Sequence, residues 1–181
     1  MKKLILSLML LSSITVLSAS DQSGCSFYTR GHFLYLNDVF DLGDEGYGST
    51  FELGFTFCSE DNLYQSISLE SGYITSDFSL TGVDIDIIPV LVNIIISSDF
   101  GNAFIWEIGG GVGGYSIDTN AIDADDDFVV GGQFFGRLGY RFNNGFDVTA
   151  GVRYIVSDDF DGIRNLDLST EAFDLSLRYS F

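Results

Sequence analysis

The sequence predicts an all-β fold: a single eight-stranded antiparallel up-and-down β-barrel that crosses a membrane with its strands. Three observations carry this expectation. From Ser23 onward no apolar repeat of helical period lasts beyond about two turns, and runs of residues instead alternate apolar and polar with period two. Eight such runs can be drawn, and an even count brings both ends of a closed antiparallel barrel to one side. The last run sets Phe173, Leu175, Leu177, Tyr179 and Phe181 on one face against Asp174, Ser176, Arg178 and Ser180 on the other, so this strand borders two different media.

The eight runs cover 25–36, 50–58, 63–74, 83–96, 103–116, 129–142, 146–156 and 172–181. Their connectors alternate in kind. Those at 38–49, 75–82, 117–128 and 157–171 are long and acidic, whereas those between are short, the last being Asn143-Asn144-Gly145, a strong hairpin signal. Long outer loops and short periplasmic turns are the pattern of an outer-membrane barrel.

Composition and the amino terminus fix the compartment. The 181 residues are 46% hydrophobic and 15% aromatic, which excludes a disordered chain, and a formal net charge of −18 with no basic patch excludes nucleic acid as a partner. Lys2 and Lys3, the apolar run from Leu4 to Leu17 and the small residues Ser18-Ala19-Ser20 read as a signal peptide over 1–20, too short to span a bilayer as a helix, with the barrel domain at 21–181. Beyond the leader there is no lysine, and the arginines are Arg30, Arg137, Arg141, Arg153, Arg164 and Arg178. Cys25 and Cys58 are the only cysteines; in an oxidising compartment they are a candidate disulfide, the alternative being two buried thiols. Their parities differ, so the bond requires a bulge or a frayed strand end.

Which face is the lumen follows from charge. Hairpin symmetry about the centre of 117–128 sets Glu107 opposite Arg137, on the face away from Phe104, Trp106, Phe134 and Leu138. Arg30 can face Glu52, which can face Glu70, and Arg141 can face Asp147, with Arg153 and Arg178 nearby. Buried charges are tolerable only when paired, and eight strands enclose just enough room for side chains. Arg30, Glu52, Glu70, Glu107, Arg137, Arg141, Asp147, Arg153 and Arg178 are therefore read as a lumen charge network. The opposite parity carries Phe27, Phe33, Tyr35, Phe51, Phe55, Phe57, Tyr73, Phe104, Trp106, Tyr140, Phe146 and Tyr154 toward lipid, with aromatic girdles near the strand ends. The run 83–96 is apolar on both parities, which predicts a phase-shifting bulge near Pro89.

The terminal Phe181, with Tyr179, Leu177, Leu175 and Phe173 at alternate positions, resembles the signal by which the barrel-assembly machinery recognises its clients. Ile88-Pro89-Val90-Leu91-Val92-Asn93, followed by Trp106-Glu107-Ile108-Gly109-Gly110-Gly111-Val112-Gly113, resembles the strand pair of porin-family, outer-membrane-protein-A-like β-barrel domains. The resemblance spans 21–181. It implies a Gram-negative cell envelope, and a family that includes anchors, adhesins and proteins of unassigned role.

Little chemistry stands out. Gly109 to Gly114 satisfies G-x-G-x-x-G, but no helix follows to present amides to a phosphate. His32, the only histidine, could be imagined as a base for Ser76 with Asp77, yet no motif joins them; a hydrogen-bonded lumen histidine is the simpler reading, and no enzyme and no cofactor are expected. Asp123, Asp125 and Asp127 form a weak calcium candidate whose spacing fits no calcium-loop motif. Divalent ions shared between the acidic loops and lipopolysaccharide phosphates are the functional version of that acidity. The expected role is structural and surface-presenting, with outer-membrane lipids and lipopolysaccharide as partners. A narrow channel is the alternative, and a lipid-modifying enzyme the third reading.

Overall fold

The computed structural model describes residues 25–39, 44–57, 63–78, 83–100, 103–119, 127–157 and 169–181. They form eight strands: β1 (Ser26–Val39), β2 (Asp44–Phe57), β3 (Leu63–Phe78), β4 (Val83–Asp99), β5 (Phe104–Thr119), β6 (Asp127–Arg141), β7 (Phe146–Ser157) and β8 (Thr170–Ser180). Each pairs antiparallel with the next, and β1 pairs with β8 to close the barrel. Closure leaves no open edge, so the wall satisfies its own backbone hydrogen bonds.

The end where β1 begins and β8 stops is here called the turn end, the opposite one the loop end. At the turn end Phe142 donates to Phe146 O at 2.7 Å around Asn143-Asn144-Gly145, and Gly145 takes a φ of +83°. That left-handed residue is what a short hairpin connection needs and a side chain would resist.

The strands alternate between an exposed outer face and a buried inner one. The outer face is apolar, with Val112 71%, Val152 68% and Phe134 67% exposed. Aromatic rings collect at its turn end: Phe27, Phe55 and Phe57 stack in series, as do Phe104, Tyr140 and Phe142, and Phe146, Tyr179 and Phe181.

Two expectations need correction. The strands run further toward the loop end than the alternation of polarity suggested, so β1 reaches Val39 and β2 starts at Asp44, and much of 38–49 and 75–82 is wall instead of loop. Polar and acidic side chains are no obstacle there, because the backbone ladder, which is blind to side-chain identity, continues. The bulge near Pro89 is also absent. Alternation passes unbroken through Ile87, Ile88, Pro89, Val90 and Leu91, and the β3–β4 ladder keeps one register on both sides of it, from Ser71↔Val90 to Ile74↔Ile87. The irregularity lies instead at the loop end of β1, between Leu36 and Val39. β4 is apolar on both faces for a different reason: the lumen beside its first half is itself apolar.

Candidate functional site

The interior has two storeys. At the loop end Leu34, Leu36, Ile74, Ile85, Ile87, Leu91, Tyr115, Ile117, Val129, Ile155 and Ala172 pack into one buried apolar cluster. The end of β1, the start of β4 and the end of β5 supply most of it. The Tyr115 hydroxyl, which such a layer could not leave unpaired, donates to Gly132 O at 3.0 Å.

Below this stopper lies the charged storey, itself split by height. The upper tier is mostly acidic. Asp174, a β8 residue, accepts from Arg137 Nε at 2.9 Å and Arg153 Nη2 at 2.9 Å, and its other oxygen lies 2.9 Å from His32 Nδ1. Glu52 lies 3.2 Å from His32 Nε2 and accepts from the Tyr28 hydroxyl at 2.6 Å. Glu70 takes Arg153 and Thr50 on one oxygen, and Asn93 and Gln133, both at 2.9 Å, on the other. Each of the three carboxylates has a partner on both oxygens, the condition under which buried carboxylates are tolerated.

The lower tier is basic. Arg30 and Arg137 both donate to Glu107, and Arg178 approaches the same carboxylate at 3.7 Å while donating to Thr56 at 2.8 Å. Two of these guanidinium groups also lie on aromatic faces: Arg137 is 3.8 Å from the Phe135 ring centre and Arg178 3.9 Å from that of Tyr28. Phe135 comes inward at the expense of β5, where a Cβ on Gly109 would collide with its ring; this is what the glycine-rich run is for at that point. At the rim Arg141 bonds Asp147 at 3.0 Å, with the arginine side chain 34% exposed.

Arg30, Glu52, Glu70, Glu107, Arg137, Asp147, Arg153 and Arg178 are buried inside the barrel, and Arg141, also read as a lumen charge, stands at its rim. In the ladders Arg30 stands opposite Glu52, Glu52 opposite Glu70, Glu107 opposite Arg137 and Arg141 opposite Asp147. Sequence reasoning left out Asp174, Tyr28, Asn93 and Gln133. Asp174, Tyr28 and Gln133 share the parity of a named arginine on the same strand, so that signal was available; Asn93 was hidden by the doubt over the phase of β4.

His32 and Ser76 are not brought together. Both imidazole nitrogens face carboxylates, and the Ser76 hydroxyl donates to Glu45 O at 3.1 Å. Donor atoms of His32, Glu52 and Glu70 lie within 4.8 Å of one another, a spacing that could suit a metal ion, but two of the three, Glu70 and His32, already meet the Arg153 guanidinium. Asp127 opens β6, while Asp123 and Asp125 lie outside the described residues, as does 1–20. Cys25 precedes β1 and is disulfide-bonded; Cys58, the only other cysteine in the chain, lies outside the described residues. Phe173, Leu175 and Leu177 project from the outer face of β8, about half exposed.

No protein-family model matches the chain, and no curated protein matches it in sequence. Solved structures do resemble it. Neisserial surface protein A superposes with a TM-score of 0.58 at 14% identity, over 90% of this chain and 100% of that one. Ail, the attachment invasion locus protein of Yersinia pestis, gives 0.57 at 12% identity over 89% and 100%. The N-terminal β-barrel domain of Pseudomonas aeruginosa OprF gives 0.55 at 12% over 88% and 100%. At such identities the likeness is one of fold.

Proposed function

We propose that the protein is an integral outer-membrane barrel with a structural and surface-presenting role: a closed wall that holds acidic segments outside the cell and conducts nothing. The apolar outer face and the aromatic rings gathered at the turn end support the membrane placement, since such rings suit the boundary between acyl chains and water. The observation that carries the sealed reading is the stopper. A buried apolar layer spans the lumen at one end, so a permeating ion meets a dehydrating barrier there, and beneath it Asp174 and Glu70 are tied across the lumen to Arg137 and Arg153.

In this reading the outward residues of β8, with Phe181, are presented to the barrel-assembly machinery, and the acidic loops meet lipopolysaccharide through shared divalent ions. The engagement of both nitrogens of His32 favours a structural histidine over a catalytic one. Planar-bilayer recording on the refolded protein tests the proposal. No steady unitary conductance is expected; a steady one that changes in Arg137→Ala would replace the sealed barrel by a channel.

A further inference from the structure

The lower tier of the lumen gathers three arginines around one carboxylate. Arg30, Arg137 and Arg178 share Glu107, Arg137 alone bonds a second, Asp174, that also serves Arg153, and Glu52, opposite Arg30 in the β1–β2 ladder, is engaged by Tyr28 and His32 instead. Asp147, next to Arg178 in the β7–β8 ladder, is held by Arg141. Arg178 stands directly opposite Arg30 in the β1–β8 ladder, so two like charges face each other on one surface at no more than 4% exposure. The hydrogen-bond count leaves a gap. Nε and Nη1 of Arg30, Nη2 of Arg137, Nε of Arg178 and the hydroxyl of Ser97, which neighbours Glu107 in the β4–β5 ladder, are buried without a partner among the described residues. Orphaned guanidinium donors this deep call for an acceptor.

We propose that this tier binds one small inorganic anion of halide size, chloride in the cell envelope, on the nitrogens of Arg30 and Arg178 that Glu107 leaves without a partner. Beside the Tyr28 ring, the polar neighbours are short: Thr56, which accepts from Arg178, its partner Ser66, and Ser97 beside Glu107, which suits a monatomic ion more than a phosphate. Entry is from the turn end, past the partly exposed Arg141, while the acidic loops lie at the other end of the barrel. The site does not depend on whether the barrel conducts.

Two measurements test it. The refolded full chain is unfolded in sodium chloride and in sodium gluconate at equal ionic strength, so that screening is the same and only the size of the anion differs. Chloride is expected to raise the folded-to-unfolded ratio, by about 100-fold at a concentration 100 times its dissociation constant, and Arg178→Gln to abolish the difference. Crystals grown in bromide should show an anomalous peak beside Arg30 and Arg178. Equal stability in the two salts, a bromide crystal with no such peak, or stabilisation by phosphate and not by chloride would overturn the proposal. Should Arg178→Gln fail to fold, the salt comparison and the bromide crystal on the unaltered chain decide the matter alone.

Discussion

The two storeys of the lumen are built on the same strands with the same inward parity, yet they are held together by different physics. In the apolar stopper each side chain contributes its own removal from water and its fit against its neighbours, neither of which needs a particular partner atom. In the charged storey a side chain contributes almost nothing alone; its value lies in keeping several others from being buried unpaired. β4 and β8 show the contrast within single strands. The inner face of β4 carries Ile85, Ile87 and Leu91 before it reaches Asn93, whereas that of β8 passes from Ala172 directly to Asp174 and Arg178.

The difference predicts unequal losses. Asp174→Ala should cost most, about 3–5 kcal/mol, because it strands Arg137, Arg153 and one side of His32 in the interior. Urea unfolding of the refolded barrel measures it, and a loss below that of a single aliphatic truncation would break the comparison.

Sequence alone reached much of this, and it failed where the storeys diverge. Register was legible from local symmetry: Glu107 and Arg137 are equidistant from the centre of one connector, and the ladder pairs them. Contacts along a chord of the barrel were not legible, because His32 with Asp174 or Arg153 with Glu70 depends on strand tilt and closure, which no spacing along the chain encodes. Reading β4 as bulged came from assuming a uniformly polar lumen; an apolar storey lets both faces of a strand be apolar with no change of phase. The strand ends were missed because backbone pairing does not stop where side chains turn acidic.

Leu34→Ala, in the stopper, should cost about 3 kcal/mol, the transfer of the lost methyl groups plus the cavity left behind, and should leave the charged storey intact. The same unfolding experiment reports it, and additivity with Asp174→Ala would show that the storeys are energetically separate. The smallest effect belongs to the rim. Arg141→Ala takes a partly exposed arginine away from Asp147, which is buried but keeps Arg178 beside it in the β7–β8 ladder, and about 1 kcal/mol should be lost; a larger loss would mean that Arg178 does not take Asp147 over.

All of this presumes that lipid, and not a protein core or water, surrounds the apolar outer face. Trp106 is the only tryptophan in the chain and lies on that face of β5, beside exposed Phe104 and Ile108. Refolded into vesicles whose phospholipids carry bromine on the acyl chains, the protein should lose most of its tryptophan fluorescence relative to unbrominated vesicles. Unquenched emission from a folded protein that stays dispersed without lipid or detergent would contradict the account.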